Sequence, residues 1–387
     1  MKVVRIVSEL DFGGVEQVLA NSLPELQRIT NFKLTVIVLG KGGRVSSALQ
    51  SKGIQVIVWN QNPRIPNIKL LLKLTSFLKK HQPDVVHTQG AEANFHGLIA
   101  GRLAGVPSRI GEEIGFPNHH SYWKYIFKLI YKNATKLIAI SHAVKDMIIE
   151  LKEVEEGKVE VVYNPVEIGE KRKVRDERGT EREDNVLGTF LARGQDVEEE
   201  FNVSDKKVKP FVFVTTCRLV PVKNLDRLIS VFVKLSEEFS EKPIELWIIG
   251  DGPLREVLEN QSKELGISDK IKFWGFQENV LTFLEEADAF VLPSLSEGSS
   301  VSLVEAMTVG LPSIVTKVGG AREILGGSNS GLLIDPRNEN TILKALKEVI
   351  NYEKYQKEKI SKNAIKEAKR FSIENYIQQI IKVYKAS

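Results

Sequence analysis

Glu297 and Glu305 stand eight residues apart in "SEGSSVSLVEAMTVGLPSIVT" (296–316), with small and hydroxyl side chains between them. A buried-type strand, "VLPS", comes first. The pattern predicts a helix from about Ser302 to Val309, ended by Gly310 and Pro312. The N–H groups of Ser300, Val301, Ser302 and Leu303 would open that helix at a strand's carboxyl end, where unshared donors and the helix dipole suit a phosphate. Glu305 lies about one turn into the helix and Glu297 before it, so they do not share a helix face. They suit two separate acceptors for sugar or ribose hydroxyls; a first-turn helix charge plus a surface carboxylate is the plainer alternative.

Two more segments bear on that choice. "CRLVPVKNLDRLI" (217–229) sets Arg218 and Lys223 in a strand-to-helix loop, where a planar guanidinium fork and a point-charge ammonium suit a diphosphate. Solvated loop cations are the bland reading of the same pair. "IIGDGPLREVLE" (248–259) gives a strand, a turn at Gly252 and a helix with Pro253 near its start, without the full Gly-X-Gly-X-X-Gly pattern.

Positioning these residues requires a particular kind of scaffold. Short β-rich runs such as "KVVRIVS", "KLTVIVLG" and "PDVVHT" alternate with helical patterns through residues 1–168, and the alternation restarts after 209. That rhythm predicts βαβ units and parallel sheets, with ligands beyond the strand carboxyl ends. The expected architecture is α/β, with two Rossmann-like domains facing across a cleft. The first covers 1–168 and the second 210–371, and a last helix at about 372–387 returns to the first. The charge-dense segment 169–209 ("EKRKVRDERGTEREDN" within it) reads as a solvated, mobile insertion, or alternatively as a docking segment.

The chain has 387 residues, 42% hydrophobic and 27% charged, as in ordinary soluble proteins. One cysteine, Cys217, excludes an internal disulfide and a cysteine-rich metal site. No apolar run reaches the roughly 20 residues of a spanning helix, and the start lacks a secretory pattern, so a cytoplasmic protein is expected. Net charge is +4, too small for a dedicated nucleic-acid binder, and divides as +7 over residues 1–165 and −3 over the rest. Residues 123–138 carry lysines at 124, 128, 132 and 136, expected as one helical stripe beside Trp123, Phe127, Ile130 and Tyr131. Such a stripe suits contact with an anionic membrane, or a solvated face over a packed core.

Taken in order, Arg218, Lys223, "GDGPL" (250–254), "FWGF" (273–276) and the 296–316 stretch resemble the donor domain of the family 4 glycosyltransferases. "GGVEQVL" (13–19), "PDVVHTQG" (83–90), "HGLIAGRLAGVP" (96–107), "IAISHAVKDMI" (138–148) and "YNPV" (163–166) extend the resemblance over nearly the whole chain. The resemblance implies the GT-B fold and retaining transfer of a hexose or N-acetylhexosamine from a UDP- or GDP-linked sugar. With the 123–138 lysines and the +7 front half, the expected acceptor is a saccharide or lipid-linked glycan of the cell envelope, met at the inner membrane surface. The resemblance also implies roles: Arg218 and Lys223 on the diphosphate, Glu297 on donor-sugar hydroxyls and Glu305 on the ribose. The backbone at Ser300, Val301, Ser302 and Leu303 would meet phosphate or sugar, and the segment after Gly275–Phe276 the base. Gly13 and Gly14 would lie near diphosphate and acceptor. No Asp-X-Asp occurs, so no metal or other cofactor is expected.

One departure leaves the proton's destination open. Family members often carry a histidine near the place occupied here by Ile114; His87, Glu112, Glu113, His119 and His120 are the polar candidates nearby, His87 equally well a structural residue. A soluble small-molecule transferase, a sugar-nucleotide epimerase of the same fold and a non-catalytic binding protein are the alternatives.

Overall fold

The computed structural model describes residues 1–11, 14–117, 122–168, 172–175, 181–184, 209–327 and 329–386. The chain divides into two compact units: Met1–Glu167 with Phe371–Ser387, and Ile168–Arg370.

In the first unit, strands β1 (Lys2–Val7), β2 (Lys33–Val38), β3 (Gln55–Val58), β4 (Val85–Gln89), β5 (Ser108–Glu113), β6 (Lys136–Ala139) and β7 (Val159–Val161) form one parallel sheet, ordered 3-2-1-4-5-6-7. Helices α1 (Gly14–Ile29), α2 (Arg44–Ser51), α3 (Ile68–His81), α4 (Ala91–Leu103), α5 (Trp123–Tyr131) and α6 (His142–Glu150) connect them. Both faces of the sheet are covered, which is why strands such as Lys2–Val7 read as nearly continuous apolar runs. Strand order reverses between β1 and β4, so their carboxyl ends diverge into a crevice.

The C-terminal helix Ile373–Lys385 buries Tyr376, Ile377, Ile380, Val383 and Tyr384 in the core cluster that also holds Leu19 and Leu23 of α1. Under it lies a buried polar network. Arg5 Nη1 is 2.7 Å from His87 Nδ1 and donates to the Tyr384 hydroxyl at 3.3 Å; its Nη2 reaches Gln89 Oε1 and Glu112 Oε2, both at 3.3 Å. His87 Nε2 lies 2.9 Å from Glu112 Oε2. Burial, then the neighbouring guanidinium, push His87 down to about 4, so it is neutral, while the ion pair across the sheet is between Arg5 and Glu112.

Strands β8 (Arg172–Arg175) and β9 (Glu181–Asp184) form an antiparallel pair inside the charged segment; the rest of the 169–208 stretch lies outside the described residues. The second unit's six-stranded parallel sheet comprises β10 (Phe211–Thr216), β11 (Ile244–Ile249), β12 (Ile271–Gly275), β13 (Ala289–Leu292), β14 (Ser313–Thr316) and β15 (Gly331–Ile334), ordered 12-11-10-13-14-15. Helices α7 (Leu225–Glu238), α8 (Arg255–Glu264), α9 (Leu281–Glu286), α10 (Val301–Thr308), α11 (Ala321–Leu325), α12 (Glu339–Ile350) and α13 (Lys354–Ala368) pack on it. Its order reverses between β10 and β13.

The single lysine stripe over 123–138 does not form. Helix α5 ends at Tyr131, Lys132 caps it and Lys136 opens β6, where it pairs with Glu160 at 2.9 Å. A buried strand was needed there to continue the sheet, and "KLIA" supplies the apolar run. Phe127, Ile130 and Tyr131 are core, with Trp123 packed against them.

Candidate functional site

The loops after β10 and β13, at the reversal point of the second unit, carry the sequence-predicted residues. Asn224 adopts φ 57° and is buried, donating through Nδ2 to the carbonyls of Pro293 (3.1 Å) and Pro336 (2.8 Å). Leu295 N–H donates to the Val222 carbonyl at 2.8 Å. These bonds lash one loop to the other and set Lys223 Nζ 2.6 Å from Glu297 Oε2. Ser294 Oγ donates to the same oxygen at 3.3 Å, and the Glu297 carbonyl accepts from Gly320 N–H at 3.1 Å. The side chains are only 19% and 12% exposed, so the pair is held by its surroundings rather than by chance contact.

Arg218 is exposed on the neighbouring turn and has no side-chain partner among the described residues. Its turn is zipped to the "GDG" turn: Cys217 N–H to Ile249 O (3.0 Å), Leu219 N–H to Asp251 O (3.0 Å) and Leu254 N–H to Leu219 O (3.1 Å). The contact is too close for side chains. A Cβ on Gly250, where φ is +130°, would sit 1.9 Å from the Cys217 carbonyl, and one on Gly252 would sit 2.5 Å from the Leu219 carbonyl. The glycines therefore fix where Arg218 stands. Gly252→Ala is expected to displace that turn and raise KM for the donor about tenfold or more, while far-ultraviolet circular dichroism stays native; unchanged kinetics would refute the positioning role.

Helix α10 begins at Val301, three residues beyond Gly298. Ser300 caps it, its Oγ accepting from Leu303 N–H at 3.2 Å. Leu303 is fully buried. Here the structure corrects the expectation: the Leu303 N–H is spent on the cap, and Val301 and Ser302 supply the first-turn donors without a partner among the described residues. Glu305 is half-buried, its carboxylate has no hydrogen-bond or ion-pair partner among the described residues, and desolvation raises it to about 7. A carboxylate kept out of water without a donor is an acceptor awaiting one. Phe276 is 42% exposed just beyond β12, next to Gly275, whose carbonyl takes the Gly250 N–H at 2.8 Å.

The first unit has its own pocket at its own reversal point, about 620 Å³, lined by the carboxyl ends of β1, β4 and β5. Glu9, Glu16, Glu92 and Glu113 line it, and among the described residues no lysine or arginine does. Burial raises the Glu16 carboxyl above its usual range. Glu113 is buried and accepts from Asn94 Nδ2 (3.2 Å) and from the Tyr131 hydroxyl. Ile114 and Phe116 form apolar wall. His87 is not in this pocket: it is fully buried in the Arg5–Glu112 network, which corrects its candidacy as a cleft base. Gly14 opens α1 with nothing within 4 Å of where its Cβ would be. Gly13, His119 and His120 lie outside the described residues.

Glu9, Glu16 and Glu92 were not singled out from sequence. The usable signal was position: "VSELDFGGVEQ" and "HTQGAEAN" put each carboxylate just past the end of β1 or β4, where the sheet order reverses.

Comparison with known proteins agrees with both halves. The Glycosyltransferase Family 4 model matches residues 12–170 and the Glycosyl transferases group 1 model matches residues 196–367. A UDP-Gal:alpha-D-GlcNAc-diphosphoundecaprenol alpha-1,3-galactosyltransferase of Escherichia coli is 29% identical over 291 residues, covering 73% of this chain and 70% of its own length. An N-acetylgalactosamine-N,N'-diacetylbacillosaminyl-diphospho-undecaprenol 4-alpha-N-acetylgalactosaminyltransferase of Campylobacter jejuni is 23% identical over 366 residues, covering 91% of this chain and 90% of its own. Among solved structures, Anabaena Alr3699/HepE in complex with UDP superposes with a TM-score of 0.79 at 20% identity, covering 100% of both chains. With two doubly wound units, loops converging at each sheet's reversal point and family models matching either half, the chain belongs to the family 4, group 1 glycosyltransferases of GT-B fold.

Proposed function

We propose that this glycosyltransferase moves a hexose or N-acetylhexosamine, with retained configuration and without a metal ion, from a UDP- or GDP-linked sugar to a saccharide carried on a lipid diphosphate. The observation that carries the reading is the Lys223–Glu297 pair at 2.6 Å beside the start of α10. A diphosphate drawn to Lys223 and Arg218 brings its sugar to Glu297, whose carboxylate accepts sugar hydroxyls. Glu305 accepts from the ribose, and the first-turn N–H groups of Val301 and Ser302 take phosphate or sugar oxygens. As the glycosidic bond breaks, charge grows on the departing diphosphate, and the two cations stabilise it.

The acidic pocket of the first unit suits the acceptor's sugar end: its four carboxylates are hydrogen-bond acceptors for sugar hydroxyls and would repel an anionic group. Glu113 remains a candidate for receiving the acceptor proton, as does the donor phosphate. Both named relatives act on diphosphoundecaprenol-linked acceptors, which supports the lipid-linked class.

The test is to incubate the protein with a panel of UDP- and GDP-sugars and a synthetic polyprenyl-diphosphate saccharide, with EDTA present, and to read the product's anomeric signals by NMR. The expected product keeps the donor's configuration. An inverted linkage, dependence on added metal, or an epimerised sugar nucleotide formed without acceptor would each overturn the reading.

A further inference from the structure

We propose that the exposed sides of α3 and α5 form a surface by which the first unit rests on an anionic lipid bilayer. This deepens the lipid-linked reading, and α3 supplies half of it. Helices α3, α4 and α5 lie side by side on one face of the sheet, α4 packing against both neighbours. The outward positions of α3 and α5 are apolar where water would favour polar groups. Ile68 and Leu72 of α3, with Tyr122, Tyr125 and Leu129 at and along α5, are each between 60% and 63% exposed. Their spacings, four on α3 and three then four on α5, put them in a stripe along each helix.

Cations flank both stripes. Lys69, Lys73, Lys79 and Lys80 are exposed on α3, and Lys128 and Lys132 at α5; none of these makes an ion pair among the described residues. Lys73 lies over the Trp59 ring and Lys124 over the Tyr125 ring. The chain has no Asp or Glu between Glu25 and Asp84, between Glu92 and Glu112, or between Glu113 and Asp146. Hence no acidic side chain interrupts α3, the outer part of α4, or α5. The face is bounded: α6, next along, carries Asp146 and Glu150. A basic rim around aromatic and aliphatic side chains, with no acid to repel phosphates, complements anionic headgroups above acyl chains. Among the described residues no helix is long and apolar enough to cross a membrane, so the contact is one of surface.

The position also fits the use. Both helices start at the edge where strands end and the acidic pocket opens. Ile65, Phe116, Trp123 and Ile126 share one packed cluster, and Phe116 is also a pocket wall. A bilayer under α3 and α5 therefore lies beside the pocket mouth, where a lipid-borne saccharide would enter.

Sedimentation of the 387-residue chain with vesicles tests the surface without donor or acceptor, so its failure is distinct from failure of the transfer reading. The protein should sediment with phosphatidylcholine–phosphatidylglycerol vesicles, release in high salt, and bind phosphatidylcholine vesicles at least about tenfold more weakly. Lys69→Glu with Lys73→Glu, and separately Tyr125→Ser with Leu129→Ser, should each lower vesicle binding about tenfold or more. Lys263→Glu with Lys344→Glu, the same charge change on the second unit, should not. Transfer to a water-soluble saccharide should be unchanged in the α3 and α5 variants, whereas transfer to vesicle-borne acceptor falls. Wild-type protein that stays in solution with anionic vesicles at low salt would overturn the proposal. So would equal losses in the second-unit control, or a dimer of the free protein that Tyr125→Ser with Leu129→Ser dissolves, which would make the occupant a second copy.

Discussion

Lys223→Ala is expected to lower kcat by about 10²–10³, the scale seen when one preorganised group is removed from a developing negative charge. Two consequences of the geometry act together. The ammonium that would face the departing diphosphate is lost, and Glu297, only 12% exposed and bonded to Lys223 at 2.6 Å, loses its cationic partner. The remaining carboxylate would repel a diphosphate, so donor affinity should fall as well. Lys223→Arg keeps the charge but replaces a compact head with a wide planar one, which cannot reproduce the single 2.6 Å contact to the Glu297 oxygen that Ser294 shares; partial activity is expected. Steady-state kinetics separates these effects, kcat for the charge and KM for the fit. Alanine activity within a few-fold of wild type would remove Lys223 from the site.

Glu305→Gln should abolish most activity and stabilise the free protein at alkaline pH. Burial without a partner holds the Glu305 carboxyl at about 7, above its usual range. A raised acid binds its proton more tightly when folded, so its effect on stability is neutral below the ordinary carboxylate pKa. Stability is then lost as pH rises toward 7, and the loss is complete above it. The cost is on the order of 1–3 kcal/mol at pH 8, and glutamine, which never ionises, avoids it. The difference in Tm between variant and wild type should therefore be near zero at pH 4 and grow through pH 7. Nucleotide binding has the opposite sense: ribose hydroxyls favour the ionised form, so wild-type affinity should rise from pH 6 to pH 8 and that of the variant should not. A Tm difference independent of pH would place the carboxylate in water instead.

The local geometry of the second unit's candidate site is largely legible in the sequence because local signals there agree. The serine cap, the glycine after α10 and the paired glycines of the "GDG" turn each serve one local geometry. Glu297 and Lys223 were visible as chemistry, yet their direct contact is made by Asn224 and two distant proline carbonyls, which no local pattern encodes. The Leu303 N–H was misjudged because capping competes with ligand binding for the same donors. In the first unit, His87 looked like a site residue since it follows an apolar strand. Its burial depends on Arg5, 82 residues earlier, and Tyr384, 297 residues later. The lysine spacing over 123–138 matched a helix, but the need for β6 overrode it. Charge absence proved as informative as charge presence: acid-free α3 and α5 are plain in the sequence, whereas their adjacency to α4 and to the pocket needed the fold.

The central claim, that the β10 and β13 loops hold a nucleoside diphosphate, is tested most directly by calorimetric titration of UDP and GDP into the wild type and into Arg218→Ala. Arg218 is exposed and its side chain has no hydrogen-bond or ion-pair partner among the described residues, so its removal breaks none of those bonds. The wild type should bind one of the two nucleotides with a stoichiometry of about one, as a single donor site requires, and Arg218→Ala should bind it at least about tenfold more weakly, the loss of one charge-assisted contact. Equal affinity in both proteins, or no binding of either nucleotide by the wild type, would contradict the account.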